Sequence, residues 1–454
     1  MTLTEYIDSL RGRTVAVVGV GVSNLPLLRL LASRGCDVTA CDRRSAEALG
    51  EVYDELAALG VKFILGEHYL DRLDFDLVFR TPGLHPDRLK AAVRPDTVVT
   101  SEMEIFFRLC PCRTIAITGS DGKTTTSTLI AKLLTAAGCR VHLGGNIGRP
   151  LLCDIPEFSP DDVAVLELSS FQLHSMHCRP DVAVITNLSP NHLDVHPSFE
   201  DYANAKKNIF LCQDGDCRLV LNMDNEYTAA CAAEAAAEVI WFSRRARPEK
   251  GYSFHDGAIY RGDERFVEQR DILIPGLHNV ENYMAAFAAV DGLVSRETCL
   301  AVARSFGGVE HRIELVRTLR GVRYYNDSIA SSPTRTIAGL RSFDQRVILI
   351  AGGHDKLVPF DELAAEIVQR VKALFLCGET AEKLRDAVLA APGYDPAALP
   401  VTVLDDFRET VLAASAAAEA GDVVILSPAC SSFDRFRNFV ERGNTFRKIV
   451  EDLK

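Results

Sequence analysis

A chain of 454 residues has room for two to four domains at about 100–200 residues each. Hydrophobic residues make up 47% and charged residues 25%, the balance of an ordinary globular protein. The net charge of −12 argues against non-specific nucleic-acid binding, while leaving room for a local basic pocket that takes anionic substrates.

Short apolar strands alternate with amphipathic helical stretches along the whole length, which predicts an α/β protein with parallel sheets. The first strand is expected at 14–20, followed by the turn Gly19-Val-Gly-Val-Ser-Asn24, a helix over 25–34 and a second strand over 37–41 ending at Asp42. Two glycines at the turn and an acid about 20 residues on suggest a Rossmann-type opening, incomplete because Asn24 replaces the last glycine. The same residues would also suit a tight strand-to-helix turn that binds nothing. A further strand, 75–79, leads into the loop Arg80-Thr81-Pro82-Gly83.

The segment Thr114-Ile-Ala-Ile-Thr-Gly119-Ser120-Asp121-Gly122-Lys123-Thr124-Thr125 runs an apolar strand into a phosphate-binding turn. Gly119 and Gly122 let backbone amides approach oxygens, Lys123 supplies a mobile positive charge, and Thr124 can offer a hydroxyl to nucleotide-bound magnesium. The spacing Gly-x-x-Gly-Lys-Thr is shorter than the general P-loop pattern, because Ile117 stands where the first glycine would be. This segment predicts an ATP site.

Buried strands at 163–168 and 182–187 each end in polar residues, and such carboxyl-terminal strand edges carry the ligand sites of open parallel sheets. Glu167 is then the expected magnesium partner, and His192 follows on the loop Thr186-Asn187-Leu188-Ser189-Pro190-Asn191-His192-Leu193-Asp194. Lys206 reads as a solvated helix face. A helix over 279–294 begins with Asn279 and Asn282, three apart and so on one face. Beyond Phe306-Gly307-Gly308 a third strand–helix series begins, with strands at 347–350, 373–377 and 423–426. Its polar strand ends, Asn326-Asp327-Ser328, Gly352-Gly353-His354-Asp355-Lys356 and Ser427-Pro428-Ala429-Cys430-Ser431-Ser432-Phe433, imply a substrate site, with His311-Arg312 as a possible anion clamp.

The thirteen cysteines show no Cys-x-x-Cys pair and no metal-like Cys/His spacing, so they read as reduced thiols. The opening residues carry two acids and no long apolar run, unlike a signal peptide, and no stretch approaches the roughly 18 apolar residues of a membrane span. A cytoplasmic protein with no membrane or nucleic-acid partner is expected.

Taken together, Gly119 to Thr125, Gly144-Gly145-Asn146-Ile147-Gly148, Leu166 to Gln172, His192 with Asp194, Gly276 to Asn282, His311-Arg312, Asn326-Asp327-Ser328 and Ser427 to Asn438 leading into Arg442-Gly443-Asn444 resemble the Mur ligases. These are ATP-dependent amide-forming enzymes of peptidoglycan synthesis, and the resemblance spans the chain in unchanged order. It implies three domains: residues 1–97, Rossmann-like and binding the uridine diphosphate substrate; 98–305, a central P-loop ATPase-type parallel sheet; and 306–454, Rossmann-like and binding glutamate. The Gly-Gly-Asn-Ile-Gly, Leu-Glu-Leu-Ser-Ser-Phe-Gln and Ser-Pro-Ala-Cys-x-Ser segments point to the branch that adds D-glutamate to UDP-N-acetylmuramoyl-L-alanine through an acyl phosphate.

What the resemblance implies for individual residues is specific. Ser23, Asn24, Asp42, Arg43 and Gly83 would lie near the uridine diphosphate, with Asn146 and Ser169 touching nucleotide or acceptor. Gly119, Ser120, Asp121, Gly122, Lys123, Thr124 and Thr125 would hold ATP phosphates, and Asn279, Asn282, Arg312 and Asp327 would surround the rest of the nucleotide. Two magnesium ions would draw on Thr124, Glu167, His192 and a carbamylated Lys206, and Lys123, Glu167, His192 and Lys206 form the catalytic set. Lys356, Ser432, Phe433 and Phe439 would receive glutamate. Many family members carry a lysine where this chain has Ile329, so either Arg335 or His354 would supply the charge, or glutamate would be held mainly by Lys356. A monomer is expected.

Three other readings compete. A nicotinamide oxidoreductase on Gly19 to Asp42 leaves the P-loop unexplained, and a folylpolyglutamate-type or other glutamate ligase leaves the leading ~110 residues unexplained. A non-catalytic ATP-binding scaffold would release no phosphate with any amino acid.

Overall fold

The computed structural model describes residues 1–190, 196–356 and 358–454. It contains three sheets in an α/β arrangement. The first sheet has strands β1 (Thr14–Val18), β2 (Asp37–Asp42), β3 (Lys62–Leu65), β4 (Leu77–Phe79) and β5 (Val98–Thr100), in the order β3-β2-β1-β4-β5 and all parallel. Chain order reverses between β1 and β4, so the loops after these two strands flank the crevice where open α/β sheets bind ligands.

The second sheet comprises β6 (Arg113–Thr118), β7 (Val141–Gly145), β8 (Val163–Glu167), β9 (Val182–Ile185), β10 (Arg218–Asn222), β11 (Glu238–Ser243), β12 (Gly251–His255), β13 (Ala258–Arg261) and β14 (Glu264–Glu268). Its order is β14-β13-β12-β11-β10-β9-β6-β8-β7, with only the β12–β14 edge antiparallel. The P-loop strand β6 is central, between β8 and β9, so the strand ends carrying Glu167 and Thr186 emerge on either side of it. The third sheet has β15 (Glu314–Leu319), β16 (Val322–Asn326), β17 (Val347–Ala351), β18 (Val371–Leu376), β19 (Val401–Val403) and β20 (Val423–Leu426), in the order β15-β16-β20-β17-β18-β19. Here β15 alone is antiparallel.

The contacts divide into two compact units, residues 1–269 with 281–302, and residues 270–280 with 303–454. Within the first unit one apolar cluster joins both sheets, running through Val17, Phe79, Phe106, Leu152 and Leu166. Arg80, only 1% exposed, braces the same junction by donating to the Leu84 carbonyl at 3.0 Å and the Phe171 carbonyl at 3.0 Å. Within the second unit the two sheet faces carry separate cores, one around Leu349, Leu374 and Ile425, the other around Ile350, Val424 and Phe446.

Four predicted strands, β1, β4, β8 and β9, are shorter than expected, and for β1 and β9 the reason is local. β1 stops at Val18 because Gly19 turns away at φ +90°, where an added Cβ would strike Thr81. β9 stops at Ile185: the Thr186 amide still donates to Thr118 O at 3.1 Å, but its hydroxyl and Asn187 bind the phosphate loop. The helix expected over 279–294 is found at Leu277–Ala289, and Gly292, at φ +79°, ends its last turn. Among the described residues, no helix is long and apolar enough to cross a membrane.

Candidate active site

The phosphate loop follows from its two glycines. Gly119 sits at φ +145° and Gly122 at φ +78°, conformations that side-chain-bearing residues rarely adopt. A Cβ at Gly119 would overlap Thr186 Oγ1, and one at Gly122 would overlap Asn282 Oδ1. Gly122 begins the Lys123–Ala136 helix without a side-chain cap, and the amide end of such a helix favours an anion. The loop is fixed from β9's side: Ser120 N donates to Asn187 O at 2.9 Å, Asp121 N to Asn187 Oδ1 at 3.0 Å, and Thr186 Oγ1 to Asp121 O at 2.6 Å. Lys123 Nζ folds back onto the carbonyls of Gly119 and Ser120, both at 2.9 Å. Thr124 is half-buried and Thr125 buried in that helix's first turn. Thr126 donates to Asn282 Oδ1 at 3.3 Å, so Asn282 is held beside the loop.

Glu167 is 2% exposed at the end of β8, and its Oε1 accepts from Asn146 Nδ2 at 2.9 Å. Its Oε2 is buried without a hydrogen-bond partner among the described residues. A buried, unsatisfied carboxylate oxygen beside a phosphate loop is the donor that a hard divalent cation takes. Ser169 caps the following short helix, sharing a capping box with Gln172.

Lys206 is the residue that local sequence reading placed on a solvated face, and the structure buries it at 1% exposure. Its Nζ donates to Thr118 Oγ1 at 3.2 Å and lies 4.8 Å over the Tyr202 ring. Burial pushes its pKa well below the ordinary lysine value, helped by Lys123 and opposed by Glu167 and Asp121. Lys206 and Glu167 therefore belong to one electrostatic site with the phosphate loop. His192 and Asp194 lie outside the described residues.

In the first sheet, Asp42 ends β2 and accepts from Val20 N at 2.7 Å and from Arg44 Nε at 2.9 Å. Burial raises its pKa, but these hydrogen bonds and the Arg44 charge outweigh it and hold the carboxyl at about 2. Arg44 is the cation on Asp42, a partner the sequence reading passed over for the exposed Arg43. Asn24, in place of the fingerprint glycine, is 1% exposed and donates to the Val18 carbonyl at 2.9 Å, locking the turn. Ser23 is half-buried beside it, and Gly83 is exposed in the loop after β4.

In the second unit, Asn279 is 7% exposed and donates to Pro275 O at 2.6 Å. Asp327, buried at the end of β16, accepts from Ser427 Oγ at 2.7 Å and Ile313 N at 3.3 Å. Burial raises its pKa to about 7, although Ser427, Ile313, Arg312 and Arg335 pull it down. Lys356 Nζ reaches the Ser331 carbonyl at 3.0 Å, and Arg335 Nη1 reaches the carbonyl of Ile329 at 3.3 Å. Both cations thus reach the segment where the family lysine is missing, whereas His354 pairs with Glu379 at 2.8 Å. Ser432 is buried, while Phe433 and Phe439 are exposed.

Arg442 was not singled out as a site residue by the sequence reading. It is 2% exposed and its guanidinium binds Ser328 O at 2.9 Å, Cys430 O at 3.1 Å and Ser431 O at 3.2 Å. One side chain thereby ties the loop after β16 to the loop after β20. Burial lowers its pKa to about 10. Only its place in the Arg442-Gly443-Asn444 motif hinted at this.

A P-loop strand flanked by a magnesium-competent carboxylate and a buried amine, followed by an α/β unit with cations at its strand ends, describes a nucleotide-dependent ligase of the Mur type. Residues 117–290 match the Mur ligase middle domain and residues 311–430 the Mur ligase glutamate ligase domain, and the chain belongs to the Mur ligase family. It is 50% identical to the UDP-N-acetylmuramoylalanine--D-glutamate ligase of Acetivibrio thermocellus, over 100% of this chain and 99% of that protein. It is 49% identical, over the same shares, to the protein of that name from Ruminiclostridium cellulolyticum. The fold is similar to that of a UDP-N-acetylmuramate-alanine ligase from Thermotoga maritima, with a TM-score of 0.59 at 17% identity over 97% of this chain and 100% of that one.

Proposed function

We propose that the chain is an ATP-dependent carboxylate–amine ligase that joins D-glutamate to UDP-N-acetylmuramoyl-L-alanine in peptidoglycan precursor synthesis. What carries the reading is end-to-end similarity, at half of all positions, to proteins that bear this activity in their names. The acceptor's carboxylate attacks the γ-phosphorus of ATP and releases ADP; the resulting acyl phosphate is then attacked by the glutamate amine, which loses a proton as phosphate leaves. Magnesium, when bound, offsets charge on the phosphates.

The chain's own groups fit these demands. The loop amides of 119–125 cradle phosphate, and Lys123 turns from its own loop carbonyls to the transferring group. Glu167 and Thr124, with His192, provide oxygen and nitrogen donors for the cations; the unsatisfied Glu167 Oε2 supports this assignment. The depressed pKa of Lys206 favours the neutral amine, the form that adds to carbon dioxide. Its nitrogen bonds to the carbon and gives a proton to solvent, so the neutral amine becomes a carbamate anion that could serve a second magnesium ion.

The remaining assignments rest on position. Ser23, Asn24, Asp42, Arg43 and Gly83, to which we add Arg44 for its pairing with Asp42, hold the uridine diphosphate end, and Asn146 and Ser169 serve the reacting carboxylate. Asn279, Asn282, Arg312 and Asp327 serve the nucleotide. Lys356 and Arg335, with Ser432, Phe433 and Phe439, receive glutamate. We assign three domains at 1–97, 98–305 and 306–454, a monomer and a cytoplasmic location. Phosphate release from ATP, dependent on both the acceptor and D-glutamate, tests the proposal, and no release above background with both present would refute it.

A further inference from the structure

We propose that His85, His174 and Asp201 form a transition-metal site of the zinc class that pins the loop after β4 to the turn after β8. The three come from separate elements of the first unit. His85 caps the short helix Pro86–Lys90, His174 follows the helix Ser170–Leu173, and Asp201 lies in the first turn of the helix Phe199–Lys207. One ligand atom from each lies within 4.8 Å of the other two.

Two observations separate this cluster from an ordinary packed histidine pair. The rings meet edge-on with centroids 4.5 Å apart, and the Nε2 atoms of both His85 and His174 are buried without a hydrogen-bond partner among the described residues. Buried ring nitrogens are normally satisfied, so two of them converging on a carboxylate need a ligand. His174 Nε2 stands 3.4 Å from Asp201 Oδ2. That matches the roughly 3.4 Å between ligands implied by tetrahedral bonds of about 2.0–2.1 Å; closing the rest takes about 1 Å of ring movement.

The donor set selects the metal. Two imidazoles and one carboxylate suit zinc, cobalt or nickel, whereas magnesium prefers oxygen alone. The surroundings prepare each donor. His196 Nδ1 bonds Asp201 Oδ2 at 2.6 Å and His196 Nε2 bonds Ser170 Oγ at 3.0 Å, which orients the carboxylate. Ligation through His85 Nε2 puts that ring's proton on Nδ1, where Asp87 Oδ2 at 3.6 Å can accept it in exchange for the weak cap bond.

The site stands beside the Arg80 brace to the Phe171 carbonyl and would stiffen the loop that carries Gly83. The test uses the chelator-stripped full-length chain titrated with cobalt chloride in excess magnesium. The expected result is one equivalent bound, with visible bands of low-symmetry cobalt and no intense sulfur-to-cobalt band. Affinity should fall by about tenfold or more in His174→Ala and in the size-conserving His85→Gln, each shown folded by circular dichroism. Absence of stoichiometric binding, a sulfur band marking a cysteine site, or unchanged affinity in either folded variant would overturn the proposal.

Discussion

Lys206 Nζ donates to the Thr118 hydroxyl at 3.2 Å, and Thr118 is the last residue of the strand that becomes the phosphate loop. Thr118 passes its own proton to Leu168 O at 2.7 Å, so the amine is anchored to the backbone just beyond Glu167. Replacing Lys206 by Ala should cut turnover on the order of 10²–10³-fold, the loss seen when a preorganised charge-stabilising group is removed. Short-chain carboxylates added to Lys206→Ala should restore part of the rate if the missing group is a carbamate. Steady-state rates with and without added acetate or formate decide it, and a variant indifferent to them contradicts the carbamate.

Glu167→Gln keeps the acceptor for Asn146 and removes the negative charge. The magnesium concentration for half-maximal rate should rise by about tenfold or more, with the unfolding temperature nearly unchanged. A magnesium titration identical to that of the parent would remove Glu167 from the metal set.

At Gly119 the backbone requirement and the crowding act together. Alanine there meets Thr186 Oγ1 at a φ of +145°, a strain of about 1–3 kcal/mol before the clash is added. Gly119→Ala should weaken ATP binding by at least about tenfold, read by calorimetry, since a shift of 1.4 kcal/mol is already tenfold. Unchanged nucleotide affinity would show that the loop does not need this conformation.

Glu102 gives the chain a pH-dependent stability term that is independent of catalysis. It is 6% exposed and accepts from Leu152 N at 2.9 Å; burial raises its pKa from 4.5 to about 7, despite that bond. A carboxyl raised on folding contributes stability fully below pH 4.5, and the contribution is lost as pH climbs through 7. Glu102→Gln should therefore melt higher than the parent at pH 8 and no higher at pH 5. Parallel melting curves across that range would contradict the burial assignment.

Arg442→Met should lower the melting temperature of the second unit by several degrees, because three backbone carbonyls lose their donor at about 1–3 kcal/mol for each group left unsatisfied. The same change should raise the KM for glutamate more than that for ATP, since the loops it ties are those carrying Ser328 and Ser432. An unaltered glutamate KM in a folded variant would limit Arg442 to a stability role.

Much of the scaffold was legible because buried parallel strands announce themselves as short Val/Ile/Leu runs, and β6, β8, β9, β17 and β20 were read that way. The phosphate loop was legible because its glycines and lysine are contiguous. The edge strands β12 to β14 were not singled out, since half-exposed antiparallel strands carry weak patterns. Lys206 and Arg442 escaped because a long cation looks solvated in its own segment, and partners 88 and 114 positions away, Thr118 and Ser328, help to bury it. Arg44 pairs with Asp42 only two positions away, through the turn that ends β2. Lys206 was recovered through the family resemblance, whereas the roles of the other two required the fold.

The most direct measurement is phosphate release from ATP with UDP-N-acetylmuramoyl-L-alanine as acceptor, varying the amino acid among D-glutamate, L-glutamate, L-alanine, L-lysine and diaminopimelate. The account predicts release with D-glutamate and none above background with the others. Release driven by any other amino acid, or none with D-glutamate, would contradict it.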